Sequence, residues 1–239
     1  MSIDIHSHIL PGIDDGAKDQ KEALEMLKIA VEDGISDIIV TPHFHYRRGH
    51  ATPEQIRSAV LELQNRMNEE KIPIKLHVGN ELYYSHDLIE SVKAGDALTL
   101  ADSDYVLLEF SPETEQKKIQ NAIYQFLCEG YLPIIAHMER YQAFLKNDDF
   151  TVSVSDMGAY FQINAGSLNG DAGWQIKRFV RKMIRNGMIQ FVATDAHDLV
   201  NRPAQFGNAV KWIEKKTGES TVQELLQRNP QMILENKHL

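Results

Sequence analysis

The chain opens on Ile3-Asp4-Ile5-His6-Ser7-His8, a short apolar run that ends in two imidazoles spaced i and i+2. Side chains two apart on a strand leave the same face, so this pair can bite one cation. The same punctuation recurs along the chain. Ile38-Ile39-Val40 is followed by His43, Leu76-His77-Val78 by Glu81, and Tyr105-Val106-Leu107-Leu108 by Glu109. Ile134-Ile135-Ala136 meets His137, and Phe191-Val192-Ala193 leads to Asp195 and His197. Phe161-Gln162-Ile163 departs from the pattern, ending on Asn164. If the runs are parallel strands, all but that one deliver an ionisable group to one end of one sheet.

Between these runs the apolar spacing changes from two to three and four. Asp19-Gln20-Lys21-Glu22 reads as a helix cap with an acid three residues on; Leu24, Leu27 and Val31 form the stripe behind it, and Gly34 stops it. Thr52-Pro53-Glu54-Gln55 combines a cap, a proline at the first helical position and a capping-box glutamine, followed by Ile56, Val60, Leu63 and Met67. Ile119, Ile123, Phe126 and Leu127 before Gly130 predict a further helix, as do Ile176, Phe179, Val180, Met183 and Ile184 before Gly187. The tail predicts helices around Val210–Lys216 and Val222–Leu226, with Pro230 starting a last turn.

Strand–helix alternation implies right-handed crossovers and a parallel sheet. Seven such runs in 239 residues predict an α/β fold. It is a distorted seven-stranded TIM-like βα barrel, one strand short of eight, in a single domain spanning residues 1–239. An open doubly wound sheet would gather its ligands at one switch point, whereas these candidates follow nearly every strand.

Composition narrows the function classes. Hydrophobic residues make up 43% and charged ones 25%, which suits a globular core. The net charge of −9 disfavours a nucleic-acid partner. Cys128 is the single cysteine, so no intramolecular disulfide can form, in keeping with a reducing compartment. The start Met1-Ser2-Ile3-Asp4 has neither the basic region nor the apolar core of a signal peptide, and no run approaches the length of a membrane span. A cytoplasmic address with no membrane insertion is expected.

Taken singly, several candidates admit a modest structural role. Asp14-Asp15-Gly16 reads as a surface turn ahead of the Asp19 cap, Thr41-Pro42-His43 as a turn after a buried strand, and a lone Glu81 as solvated. Glu109 and His137 resist such roles, because each follows an unbroken apolar run and risks burial without a partner. Thr194-Asp195-Ala196-His197 repeats the i, i+2 pair. So many oxygen and nitrogen donors exceed what one tetrahedral zinc needs. The pattern therefore predicts two or three divalent ions, and the imidazole–carboxylate mixture suits manganese, iron or zinc. Such clusters deprotonate a bound water and clamp the charged oxygens of a displacement.

Arg140 lies three residues after His137 and Arg202 five after His197, while Tyr46-Arg47-Arg48-Gly49-His50 follows His43. Guanidinium groups beside a metal nest point to a phosphoryl substrate. Cys128 reads as part of the apolar face of its helix, near Phe126 and Leu127, without the Cys-x5-Arg loop of thiol phosphatases. No Gly-x-Ser-x-Gly elbow or Walker loop occurs. His77, His86 and His238 fall outside the site, and His45 and His50 enter only as candidates for a substrate loop.

Seven motifs occur in order over essentially the whole chain: Asp4-Ile5-His6-Ser7-His8, Asp14-Asp15-Gly16, Thr41-Pro42-His43, Gly79-Asn80-Glu81-Leu82-Tyr83-Tyr84, Leu108-Glu109-Phe110, Ala136-His137-Met138-Glu139-Arg140-Tyr141 and Asp195-Ala196-His197. With them the chain resembles the polymerase-and-histidinol-phosphatase (PHP) superfamily. Within it, the chain is similar to the manganese-dependent protein-tyrosine phosphatases of bacterial capsule and exopolysaccharide operons. The Gly79–Tyr84 and His137–Tyr141 motifs carry that narrower likeness.

The resemblance implies a distorted seven-stranded barrel holding three divalent ions, manganese first. Carried over, His6, His8, Glu81 and Asp195 would hold one ion, Glu81, Glu109 and His137 a second, and Asp15, His43 and His197 the third. Arg140 and Arg202 would bind the phosphate, with His43, His197 or a water on the third ion as proton donor. The implied substrate is a phosphotyrosine protein, the tyrosine-rich tail of a membrane-linked bacterial kinase. The loop after His43 and the segment Leu168–Trp174 follow the family pattern only loosely. A histidinol-phosphate phosphatase is the nearest alternative, against which Tyr83-Tyr84 and Glu139-Arg140-Tyr141 speak. An amidohydrolase has no need of Asp15 or paired arginines, and a metal-stabilised binding protein would need a site closed to substrate.

Overall fold

The computed structural model describes residues 1–46 and 49–239, so the basic pair Arg47 and Arg48 lies outside the described residues. Its strands are β1 (Ser2–Ser7), β2 (Ile35–Val40), β3 (His43–Phe44), β4 (Lys75–His77), β5 (Glu81–Tyr83), β6 (Tyr105–Glu109), β7 (Leu132–Ile135), β8 (Tyr160–Asn164) and β9 (Phe191–Ala193). Each predicted run coincides with one of them, although Val78 and Ala136 lie one residue beyond β4 and β7. The two unpredicted strands, β3 and β5, are too short to show as apolar runs, and they begin on His43 and Glu81.

The first helices are α1 (Gln20–Glu32), α2 (Pro53–Glu69), α3 (Leu88–Ala94) and α4 (Gln116–Cys128). They are followed by α5 (Gln142–Leu145), α6 (Asp148–Asp156), α7 (Ala165–Asn169) and α8 (Trp174–Arg185). The tail holds α9 (Gly207–Thr217), α10 (Glu219–Gln223) and α11 (Asn229–Leu234). The predicted caps are made. Asp19 Oδ1 accepts from the Glu22 N–H at 2.9 Å, and Thr52 and Gln55 form the reciprocal capping box. Such a cap contributes about 1 kcal/mol.

All strand pairs are parallel, in a three-stranded sheet β1-β2-β4 and a six-stranded sheet β3-β5-β6-β7-β8-β9. It curls until β9 lies beside β1. There the Asp195 N–H donates to the His6 carbonyl at 2.9 Å and the His8 N–H to the Ala196 carbonyl at 2.8 Å. Asp4, fully buried, staples this seam by accepting from the Thr194 backbone N–H and hydroxyl.

Alternation along the strands sorts the core into two clusters. One packs the helices, through residues such as Leu27, Ile56, Ile123 and Val180, against Ile38, Val106, Leu108, Ile135 and Val192 on the outer face. The other gathers the alternate positions Ile3, Ile5, Ile39, Leu107, Ile134, Phe191 and Ala193 inside the curl, with Ile233 from α11. The period of two then has a consequence for chemistry. Glu109 is two residues beyond Leu107, His43 four beyond Ile39, and Asp195 and His197 two and four beyond Ala193, so the inward column that is apolar below becomes ionisable at the strand ends. His6 and His8 have the opposite parity to Ile3 and Ile5, and β1 carries a register irregularity between Asp4 and Ser7.

Cys128 requires a correction. It ends α4 exposed, rather than on the apolar face, while Phe126 is buried and Leu127 half-buried. Among the described residues no helix is long and apolar enough to cross a membrane.

A nest of imidazoles and carboxylates at the strand ends

The nine predicted ligands meet. Glu81, almost fully buried, lies at the centre, with Oε1 2.7 Å from His137 Nε2 and Oε2 3.0 Å from His43 Nδ1. The same Oε2 is 3.4 Å from both His6 Nε2 and His8 Nε2. Asp195 Oδ1 sits 3.4 Å from His6 Nε2 and 3.6 Å from His8 Nε2. Glu109 approaches His137 Nε2 at 3.7 Å and His43 Nδ1 at 3.8 Å. Asp15 Oδ1 lies 3.3 Å from His43 Nε2 and 3.4 Å from His197 Nε2.

Donor atoms close enough to share a cation fall into overlapping sets: His6, His8 and Glu81; Glu81, Glu109 and His137; and His8, Asp15, His43 and His197. A further set brings in His45 with His43 and Glu109.

The donor chemistry fits divalent ions. The Nε2 atoms of His6 and His8 are 3.2 Å apart, face to face. Their Nδ1 atoms point at atoms that only accept: Gln162 Oε1 at 3.1 Å and Asp14 Oδ2 at 2.7 Å. Each Nδ1 therefore carries the hydrogen, which leaves two Nε2 positions aimed at one point where only a cation relieves their repulsion. The buried His43 Nδ1 is close to Glu81 Oε2 yet has no hydrogen bond, as expected of two donors directed at a common ion.

Local backbone geometry supports this convergence. His137 and Asp195 adopt positive φ angles of 29° and 51°, a conformation costly for residues with a Cβ and found where a side chain must be aimed. Gly16 holds the Asp14-Asp15 loop against β1. A Cβ there would lie 1.8 Å from the His8 carbonyl oxygen, so no other residue fits. Gly79 is similarly crowded, its Cβ position 3.1 Å from Ile39 and Leu100 side-chain atoms.

Some supporting residues lie outside the roles their sequence suggested. Asp14 is no mere surface turn. One of its oxygens does take the Gly16 N–H, but the other orients His8. β8, the strand without an ionisable end, contributes amides instead. Gln162 Oε1 accepts from His6 Nδ1 and from the His137 N–H, and its amide nitrogen donates to Asn164 Oδ1 at 2.8 Å. Asn164 in turn donates to Asp195 Oδ2 at 2.7 Å and receives a carboxylate oxygen of Glu139 on its backbone N–H. A chain of amides thus ties ligand candidates from β1, β7 and β9 together. The strict alternation Tyr160-Phe161-Gln162-Ile163-Asn164 is the one sequence signal for this, but polar positions on a strand ordinarily mean a solvated face.

Charges set the protonation pattern. Burial opposes charging of His8, but hydrogen bonds to Asp14 and Glu81 outweigh it and hold its imidazole up at about 10. His6 is also raised, against burial, by Glu81 and Asp195. Burial would push Glu81 and Asp195 up, yet the neighbouring imidazoles, with Arg140 beside Asp195, hold both carboxylates low. Glu109 is raised by burial and by the charge of Glu81. Burial and the charge of His8 push His197 down to about 4, leaving it neutral, with Nδ1 on the Asp195 carbonyl and Nε2 facing Asp15.

The two predicted arginines arrive at the rim. The Arg140 guanidinium donates to Asp195 Oδ2 at 2.6 Å, and Arg202 Nη1 is 3.7 Å from the same oxygen. Both remain roughly two-fifths exposed, so each can still meet an incoming anion. His45 stacks on Tyr83 at 4.5 Å between ring centroids, and the His45 carbonyl meets His50 Nδ1. His77, as expected, stays apart from the nest and pairs with Asp37.

Residues 2–235 match the family model for capsular polysaccharide synthesis, CpsB/CapC. The chain belongs to the CpsB/CapC family. It is 34% identical to the tyrosine-protein phosphatase YwqE of Bacillus subtilis over 235 residues, covering 98% of this chain and 92% of that protein. It also matches one of the crystal structures of YwqE from Bacillus subtilis and CpsB from Streptococcus pneumoniae, described as unique metal-dependent tyrosine phosphatases. The TM-score is 0.93, with 33% identity and coverage of 99% and 96% of the two chains. A histidinol phosphate phosphatase from Lactococcus lactis shares the fold at a TM-score of 0.57 and 15% identity, covering 90% of this chain and 93% of the other. In CpsB/CapC terms, the nest and its paired arginines lie at the strand ends of the shared fold.

Proposed function

We propose that this chain is a metal-dependent protein-tyrosine phosphatase acting in capsule or exopolysaccharide synthesis, and that it removes phosphate from the tyrosine-rich tail of a bacterial tyrosine kinase in the cytoplasm. The observation that carries this reading is Asp195, which faces His6 and His8 with one oxygen and Arg140 and Arg202 with the other. One carboxylate thereby joins a cation nest to an anion grip, which is what a phosphate monoester requires.

The reading extends to a single domain over 1–239. In it β2 with β3, and β4 with β5, act as interrupted staves of a distorted seven-stranded βα barrel. Three divalent ions, manganese first, would be held by His6, His8, Glu81 and Asp195; by Glu81, Glu109 and His137; and by Asp15, His43 and His197. Ions bound there would supply a hydroxide at neutral pH and neutralise phosphoryl oxygens.

The chain's own residues then have defined tasks. Asp14 and Gln162 fix the ring orientation of His6 and His8, so that each presents Nε2. Arg140 and Arg202 hold the non-bridging oxygens, and Arg140 is itself held by Asp195, which limits the freedom lost on binding. A phenolate, with a parent pKa near 10, leaves more readily than an alkoxide, so proton donation to the leaving oxygen is a smaller demand. His43, partly exposed at the edge of the nest, and His197 are the candidate donors.

The test is hydrolysis of phosphotyrosine and phosphoserine peptides with chelation and metal add-back. Activity confined to phosphotyrosine, abolished by chelator and restored best by manganese, is expected. Activity that survives complete removal of metal would overturn the reading.

A further inference from the structure

Arg140 and Arg202 line more than the nest. They also form part of the wall of a neighbouring cleft of about 530 Å³. Asn164, which donates to Asp195, and Thr194, which precedes it, lie in the same wall, so the cleft reaches the edge of the nest. None of the nine ligand candidates lines it. Its apolar surfaces come from Leu145 at the end of α5, Ala172 before α8, Ile176 within α8, and Pro203. These elements include the segment Leu168–Trp174, to which the sequence motifs assign no role.

A phosphate gripped by the two arginines still carries its ester oxygen and whatever is attached to it. That substituent needs room next to the same guanidinium groups, and the cleft provides it. An aromatic ring is the substituent that profits. It buries apolar surface against Leu145, Ile176 and Pro203, and a guanidinium stacks favourably on its face. The volume lies within the range that seats a ring together with adjoining backbone. A serine or threonine ester has only a short aliphatic stem at that position and would leave the apolar walls uncovered.

We propose that the cleft walled by Leu145, Ala172, Ile176 and Pro203 seats the aromatic ring of the phosphorylated tyrosine, and so gives the enzyme a binding preference for aryl over alkyl phosphate esters. This rests on the phosphatase reading and adds to it a second source of selectivity, distinct from the ease with which phenolate leaves.

The test narrows the cleft without touching the arginines or the nest. Ala172 is exposed and belongs to neither core cluster, so Ala172→Trp fills the cleft from its surface. The KM for a phosphotyrosine peptide is expected to rise about tenfold or more, the scale of losing a hydrophobic contact in a specificity pocket. The inhibition constant for inorganic phosphate, which has no ring, stays within about twofold of wild type, and metal content per chain is unchanged. Ile176→Ala, which removes part of the wall, shifts KM in the same direction and carries the test if Ala172→Trp loses its thermal transition. Unchanged KM in the folded variants, with phosphotyrosine hydrolysis intact in the wild type, overturns the ring seat alone. A parallel rise in the inhibition constant for phosphate also overturns it, since the damage then lies in the phosphate grip. Wild-type protein inert toward phosphotyrosine removes the phosphatase reading and the ring seat together.

Discussion

At the amino-terminal ends of the strands the interior of the sheet is closed by the chain itself, and at the carboxyl-terminal ends it is not. Below, Ile233 packs among Ile3, Ile5, Ile39 and Leu107, the Tyr105 hydroxyl donates to the Lys237 carbonyl at 2.8 Å, and the Asp104 N–H donates to Asn236 at 2.8 Å. Above, the strand ends present Glu81, Glu109 and Asp195, each 2.7–3.8 Å from imidazoles of β1, β3 and the β7 and β9 ends. Apolar burial needs no partner, because the removal of surface from water is its own driving force. Buried charge does need one, and carboxylates gathered around shared imidazoles need cations among them. One end is therefore complete as folded, and the other is completed by what it binds.

The strongest way to break this contrast is at Glu81, whose two oxygens meet four imidazoles. Glu81→Ala should lower bound metal by more than one ion per chain, measured by elemental analysis. Phosphatase turnover should fall by more than the roughly hundredfold that substitution of a residue merely supporting a ligand can cost. Full metal occupancy in that variant would remove Glu81 from the centre of the nest. The amino-terminal core, which shares none of these contacts, should keep the variant folded.

A milder perturbation is pH. In protein stripped of metal, protons are the cations that remain. His8 is held at about 10 by Asp14 and Glu81, against its ordinary value of 6.5. A group whose folded value lies above its unfolded one stabilises the fold fully below the lower value, and that contribution is lost as pH rises through the upper one. Chelated protein should therefore lose thermal stability between about pH 7 and 10, and metal-loaded protein should lose less over that window. Asp14, pulled down to about 2 chiefly by its bond to His8 against the opposing effect of burial, contributes with the opposite sign, and its share is lost only as pH falls from about 4 toward 2. Metal uptake near neutrality should release protons, because ligands must give them up to bind. A flat melting temperature for the chelated protein from pH 7 to 10 would show that the imidazoles are not charged in the metal-free nest.

Legibility in the sequence divides along the same line. The candidate ligand positions stood out because an ionisable residue straight after an unbroken apolar run, as at Glu109 and His137, has little reason to be there unless it binds something. The strands carrying them were equally plain, except β3 and β5, which are cut short by Pro42 and by Gly79-Asn80 and have no run to detect. What stayed hidden was the support. Gln162 and Asn164 are uncharged and gave their strand no ionisable end, and only the curl of the sheet brings them among the candidate ligands. Asp14 read as a turn because its Gly16 contact is local, whereas its bond to His8 depends on the loop folding back over β1. Short helices such as α5 and α7, which wall the cleft beside the arginines, carry too few turns for an apolar period to show.

The smallest effect is expected at the closed end, and it sharpens the contrast most. Tyr105 begins β6 and Glu109 ends it, so the two side chains are separated by about 13 Å of strand. Tyr105 is fully buried, and burial raises its hydroxyl pKa, so it stays a neutral donor to the Lys237 carbonyl at any working pH. Tyr105→Phe keeps the ring in the inner cluster and deletes one hydrogen bond. Lys237 lies in the exposed tail, where water can satisfy the abandoned carbonyl, so the cost should stay near about 1 kcal/mol. For a chain of this size that is a fall in melting temperature of about 2–4 °C. Metal content, kcat and KM should be unaltered, because the hydrogen bond lost lies at the opposite end of β6 from Glu109. If Tyr105→Phe instead lost metal or turnover, the strand would be transmitting strain from one end to the other, and the two ends could no longer be treated as independent parts of one curled sheet.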